Sequence, residues 1–179
     1  MVYKTTSTKR RAGFTLVEFL VSMAVGSLIF LAVAVLGIYS GRSFAALANY
    51  TDLDAKSRNA LDRLTRDVRQ VNRLTASTST SLTFEDADGS SLRYAYAPQA
   101  RTLSRIKGGV SDVLLTECDQ LTFAIFQRNP VGGTYNQFPT ASAATTKLIN
   151  VTWSCSRKIL GTTMNTENVQ TAKIVIRKQ

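Results

Sequence analysis

From Phe19 to Gly41 the chain reads FLVSMAVGSLIFLAVAVLGIYSG, with no charged residue. At about 1.5 Å per residue, a helix of this stretch reaches ~34 Å, enough for a hydrocarbon core of about 30 Å. A buried core helix of a soluble protein is the competing reading. Such helices are amphipathic and seldom run this long without a charge, so the stretch reads as a membrane span. Its N-terminal flank holds Lys4, Lys9, Arg10 and Arg11 and no acidic residue. The positive-inside bias then keeps the N-terminus in the cytoplasm and exports everything after Gly41. A secretory leader has an apolar region of only about 7–15 residues ending at an A-x-A-like site. This run is longer, and its exit, Gly41-Arg42-Ser43-Phe44, offers no such site.

Composition removes several classes of chemistry. The 179 residues include no His, which excludes His-based acid/base catalysis, Ser-His and Cys-His nucleophile pairs, and His metal ligands. Two Cys cannot make a four-cysteine zinc site or a disulfide-dense scaffold. No phosphate-loop or nucleophile-elbow pattern occurs, and no catalytic constellation is visible. The expectation is a chain that is not an enzyme and holds no cofactor or metal.

Glu18 stands at the entrance of the apolar run, where a carboxylate is costly and needs a partner, a role, or a route to the interface. The junction around it reads Lys9-Arg10-Arg11-Ala12-Gly13-Phe14-Thr15-Leu16-Val17-Glu18-Phe19. It resembles the class III leader of type IV pilins and type II secretion pseudopilins: a short basic leader, Gly, then Phe-Thr-Leu-(apolar)-Glu opening an apolar helix. The resemblance implies cleavage after Gly13 by a prepilin peptidase and N-methylation of Phe14. It also implies that Glu18 pairs, in a growing fibre, with the α-amino group of a neighbour's Phe14. Two lone charges in lipid are each expensive, and one intersubunit pair lowers both costs. One departure is visible. Many pilins carry a helix-breaking Pro where this chain has Val35, and here no Pro precedes Pro98. Gly37 and Gly41 weaken a helix by only about 1 kcal/mol each, against ~3 for Pro, so a melted segment is not expected.

Beyond Arg42, Leu61, Leu64, Val68 and Val71 form one helical stripe, with charges on the other faces. Asp54 to Arg58 and Asp62 to Arg66 are acid-before-base pairs at helical spacing. One helix is expected from Phe14 to Leu74, roughly 90 Å long. Apolar spacing is not sustained from Arg42 to Ala60, which argues against a coiled coil. The bases from Arg58 to Arg73 interleave with acids and lack aromatic neighbours, so they read as a solvated face before a nucleic-acid site. Thr75 to Ser81 reads as a polar spacer. Alternation then marks strands at Ser81–Phe84, Ser91–Tyr96, Thr102–Ile106, Leu121–Phe126, Lys147–Arg157 and Lys173–Arg177, with a loop from Arg128 to Thr146. Ile149, Val151, Trp153 and Cys155 share one face of the fifth of these.

The fold class expected is α+β: a long N-terminal helix, membrane-spanning in its first half, packed on a C-terminal antiparallel sheet domain, the lollipop of pilins. The parts are a leader at 1–13, a transmembrane and assembly helix at 14–41, an amphipathic half at 42–75, and a β-rich periplasmic domain at 76–179. Ala60-Leu-Asp-Arg-Leu-Thr-Arg-Asp-Val-Arg-Gln70 resembles the L-x-R-D-[IV]-R-Q stretch of the minor pseudopilin J and minor pilin W group. Leu103-Ser-Arg105, Val113-Leu-Leu115 and Leu121-Thr-Phe123 suit that group's order of strands. Those proteins are low-copy subunits near a filament tip that help to start assembly.

Cys118 and Cys155 lie in the exported region, where an even count and an oxidising compartment favour a disulfide over two buried thiols. Such a bond contributes roughly 3–4 kcal/mol on the chain-entropy account. Glu85-Asp-Ala-Asp-Gly89 has the look of a calcium loop, but it lacks the full spacing and reads better as a hairpin turn.

The expectation is a structural minor pilin or pseudopilin of the bacterial inner membrane, single-pass, then assembled into a pilus or pseudopilus. Its partners are other pilins, the prepilin peptidase, the assembly platform, and lipid before assembly. An abundant fibre-forming pilin, an uncleaved anchored receptor, and a DNA-binding competence pilin are the alternatives. The last follows from the charge left without the leader, where loss of four of the 22 bases leaves 18 against 12 acids, a charge of +6, although nucleic acid is not favoured.

Overall fold

The computed structural model describes residues 13, 15–128, 130, 137–140, 142–158 and 167–178. The fold is α+β, and the chain divides into two compact units, Met1–Ser43 and Phe44–Gln179. One helix, α1, spans Leu16–Gln70 and is unbroken at Val35, Gly37 and Gly41. In the first unit the helix buries nothing: every described residue from Gly13 to Ser43 is exposed.

The second unit holds the rest of α1 and nine strands among the described residues. Five form one antiparallel sheet in sequence order: β1 (Arg73–Ser77), β2 (Ser81–Glu85), β3 (Ser91–Ala97), β4 (Thr102–Lys107) and β5 (Val110–Leu115). Four form a second, ordered β7-β6-β8-β9: β6 (Cys118–Gln127), β7 (Phe138–Pro139), β8 (Leu148–Ser156) and β9 (Glu167–Val175). Each sheet turns its alternate apolar residues inward. Leu82, Phe84, Leu92, Tyr94 and Leu103 come from the first; Leu121, Phe123, Ile149, Val151 and Trp153 come from the second.

The helix offers them a seam. Leu53, Ser57, Ala60, Leu64, Val68 and, just past the helix end, Val71 are buried at steps of three or four residues, with Asp67 buried beside Val68. The stripe expected at Leu64, Val68 and Val71 is present, with Leu61 packed at its margin. The apparent loss of spacing before Ala60 is corrected by Ser57, which keeps the seam with a polar residue. Its Oγ accepts from Trp153 Nε1 at 3.3 Å, so the buried indole N–H is satisfied. Asp67 does the same toward the other sheet. Its Oδ2 accepts from Tyr94 Oη and from Arg105 Nε, both at 2.6 Å. Burial, then the Asp67 carboxylate, pushes the Tyr94 phenol well above its ordinary range, so it stays a donor.

A polar clasp holds the helix farther up. Arg157 Nη1 donates to Asn49 Oδ1 at 3.0 Å, and Nη2 donates to Asp52 at 2.9 Å and to Glu117 Oε2 at 2.6 Å. The Arg157 guanidinium holds Glu117 below the ordinary carboxylate range. Glu117 and Arg101 both adopt left-handed backbone, with φ of 60° and 54°. The Arg101 guanidinium stabilises the pair of turns: Nη2 donates to Glu117 O at 3.1 Å and to Ser156 O at 2.8 Å.

Several boundaries differ from the sequence reading: β5 is not among the strands that alternation marks, β6 begins at Cys118 and not Leu121, and the last strand is Glu167–Val175 and not Lys173–Arg177. The helix stops at Gln70, and Leu74 lies instead in β1, because Leu74 gains full burial by pairing opposite Phe84. The polar spacer is mostly strand: threonine and serine suit an exposed sheet edge as well as a loop. The long loop contains β7 and a short 3-10 turn at Ala143–Thr145. Of the two expected helical ion pairs, Asp54–Arg58 forms at 2.7 Å; no ion pair forms between Asp62 and Arg66.

The Asp67 bridge generates a graded expectation. Tyr94→Phe loses one net hydrogen bond, about 1 kcal/mol. Asp67→Ala strands the Arg105 guanidinium, which is nearly buried, and costs ~3–5 kcal/mol. Urea denaturation of the two variants measures the order. Equal losses would show that Asp67 does not bridge.

Candidate functional site

The site begins at the helix entrance. Thr15 is the N-cap of α1: its carbonyl accepts the first helical bond, from Phe19 N–H at 3.1 Å. Thr15 Oγ1 accepts from Glu18 N–H at 3.2 Å, while Glu18 Oε2 accepts from Thr15 N–H and Thr15 Oγ1, both at 2.9 Å. This is a reciprocal capping box, in which each residue satisfies an otherwise orphaned backbone donor of the other. The sequence reading missed Thr15. The signal was present as Thr-x-x-Glu directly before an apolar run. Glu18 therefore has a partner within its own chain, yet only one carboxylate oxygen is engaged. Oε1 accepts no hydrogen bond among the described residues and is exposed, and a carboxylate has acceptor capacity for more.

Gly13 is exposed, and a Cβ built there would meet no atom within 4 Å. Phe14, expected as the cleaved and methylated residue, lies outside the described residues, as does the basic leader through Ala12. Downstream, the helix carries large apolar side chains into solvent: Phe19, Leu20, Met23, Phe30 and Leu36 are each more than half exposed. This is the one described helix long and apolar enough to cross a membrane, and no part of that stretch is buried within the chain.

That geometry is the setting of a sequence match. Residues 8–34 match the family model described as the prokaryotic N-terminal methylation motif. The motif covers the leader junction and the first turns of α1. It indicates prepilin processing of the type IV pilin and pseudopilin kind, in chains that are structural and assemble with other pilins. Motif and helix together fit anchoring in an inner membrane. No curated protein matches the chain.

The cysteines sit apart from this junction in sequence and close to each other. Cys118 on β6 lies directly opposite Cys155 on β8, and both are buried with free thiols. The flanking bond runs from Ser156 N–H to Glu117 O at 3.1 Å, so the cysteines occupy a non-hydrogen-bonded pair, where facing side chains approach most closely. The adjacent Cys155, with burial, pushes the Cys118 thiol up, which disfavours a nucleophilic thiolate.

The acidic turn is a hairpin turn joining β2 and β3, with Gly89 at φ 78° and its N–H bonded to Asp86 O at 2.9 Å. Its carboxylates are already served: Lys107 Nζ on β4 pairs with Asp86 and stands 3.3 Å from Asp88. An ammonium thus fills the space between carboxylates that a bound cation would need.

Lys107 is the first cause holding Asp86 below its ordinary value, and hydrogen bonding from Ser90 is the first cause holding Asp88 down, to about 2. Unfolded carboxylates titrate near 4, so the turn keeps this contribution above about pH 4 and loses it as pH falls towards about 2. Hydrogen exchange at Glu85–Ser91 should show the turn opening across that window. Lys107→Met should move the opening to higher pH, because Asp86 loses its main partner. An unchanged profile in the variant would contradict this account.

Proposed function

We propose that the chain is a subunit of a type IV pilus or type II secretion pseudopilus, closest in kind to the minor pilin W and minor pseudopilin J group. In this reading a prepilin peptidase cuts after Gly13 and Phe14 is N-methylated. The N-terminus lies on the cytoplasmic side, and the β-rich domain is exported. The subunit serves in the initiation or tip complex and contacts other pilins and the assembly platform.

One observation carries the reading: the apolar first half of α1, opened by a carboxylate, finds no burial among the described residues. A soluble domain has no use for such a surface. Lipid covers it before assembly, and the helices of neighbours replace lipid in a fibre. Oε1 of Glu18 is then the acceptor for a neighbour's Phe14 amine, while Oε2 keeps the helix cap with Thr15. Among the described residues no atom crowds a Cβ at Gly13, so packing there sets no requirement for glycine, and in this reading the requirement is the peptidase's. The resemblance of Leu64 to Gln70 and of the β4, β5 and β6 segments to the J and W group supports a low-copy role. In the exported compartment the facing Cys118 and Cys155 close into a disulfide across β6 and β8.

Mass spectrometry on filaments sheared from the native cell tests the proposal. The mature chain should begin at N-methyl-Phe14, and Gly13→Val should leave the leader attached. A peptide containing Met1 or Lys4 in the filament fraction would overturn it. Non-reducing peptide mapping of the same material should join Cys118 to Cys155; two titratable thiols under denaturing conditions would remove the disulfide from the account.

A further inference from the structure

The Leu64–Gln70 stretch divides by burial. Leu64, Asp67 and Val68 are core, and packing accounts for them. Arg66, Arg69 and Gln70 are exposed, and packing does not account for them. These three meet Arg177, two residues past the end of β9, around a groove of about 450 Å³ completed by Asp62 and Thr65. Three guanidiniums from opposite ends of the domain sequence thus share one concave surface with a single carboxylate.

None of the three makes a hydrogen bond or ion pair in the described structure. Arg66 leaves Asp62 unpaired although the spacing favours a bond. Some bases of this domain are paired, Arg73 with Glu85, Arg105 with Asp67, Lys107 with Asp86 and Arg157 with Glu117; others, such as Arg93 and Lys173, stand alone among the described residues, and what sets Arg66, Arg69 and Arg177 apart is that they share one groove. Gathering like charges in a groove is unfavourable, and the repulsion is relieved only when an anion is supplied from outside.

We propose that this groove is a docking site for an acidic segment of a partner polypeptide, one that presents at least two Asp or Glu side chains to Arg66, Arg69 and Arg177. Guanidinium forks bind carboxylates in bidentate fashion, and the Gln70 amide adds a neutral donor. Nucleic acid fits less well for three reasons. No aromatic side chain lines the groove, so bases have nothing to stack on. Three cations are few for a phosphate backbone, whose binding proteins engage about 6–10 phosphates. The groove also contains the Asp62 carboxylate and the negative end of α1, which the backbone N–H donors of a polypeptide can meet and a phosphate backbone cannot.

Fluorescence anisotropy on the full chain in neutral detergent micelles tests the site, with labelled decaglutamate and a labelled short DNA duplex as probes. The triple variant Arg66→Ala, Arg69→Ala, Arg177→Ala should bind decaglutamate roughly tenfold more weakly at low salt. Because all three residues are exposed, its thermal transition should match the wild type. A control, Arg93→Ala, Arg128→Ala, Lys158→Ala, removes the same charge elsewhere and should keep near-wild-type binding. Equal losses in both triple variants would reduce the effect to net charge and overturn the site. Absence of wild-type binding to decaglutamate would overturn it as well. Tighter binding of the duplex, lost in the groove variant, would reassign the groove to nucleic acid and overturn the acidic partner.

Discussion

The constraint on which the rest depends is an apolar surface that the chain cannot bury by itself. From Thr15 to Ala45 every described residue is exposed, and the stretch is rich in Leu, Val, Ile and Phe. At about 25 cal/mol per Å² of apolar area, such a surface does not remain in water. Its cover must come from outside the described domain, and lipid or other helices can supply it. The capping box of Thr15 and Glu18 matters for the same reason. At a helix start in an apolar setting, an orphaned N–H has no water to turn to, and Thr15 and Glu18 satisfy each other's.

Within the second unit, the same helix solves a different problem. Its seam faces two sheets with different chemistry, and at each contact one polar residue replaces an apolar one. Ser57 reaches the second sheet through Trp153, and Asp67 reaches the first through Tyr94 and Arg105. Purely apolar contacts tolerate sliding, whereas a buried bond at 2.6 Å fixes which turn of the helix meets which strand. Arg157 adds a third fixed point through Asn49, Asp52 and Glu117.

Much of this was legible in the sequence. The uncharged run, the stripe at Leu64, Val68 and Val71, and the inward face of Ile149, Val151, Trp153 and Cys155 follow from charge and periodicity, which are local. What was not legible depended on partners far along the chain. Asp67 read as one of the charges on the solvated faces, and Ser57 fell in the stretch without sustained apolar spacing, because Trp153, Tyr94 and Arg105 that satisfy them are remote in sequence. Leu74 read as helix because its burial comes from pairing with β2. Edge strand β5, whose Val110 and Val113 are exposed, lacks the alternation that marks a half-buried strand. The groove could not be foreseen, since Arg177 joins Arg66 and Arg69 only through the fold.

In the proposed fibre Glu18 has two tasks, one per oxygen: capping its own helix, and meeting a neighbour's amine. Incorporation into sheared filaments, relative to the membrane fraction, separates them. Glu18→Gln keeps a capping side chain and removes the charge; Thr15→Ser keeps the cap and the charge. The account predicts that both variants are inserted and cleaved, that Thr15→Ser enters filaments as the wild type does, and that Glu18→Gln remains in the membrane. Wild-type incorporation of Glu18→Gln would contradict it, leaving Glu18 a capping residue alone.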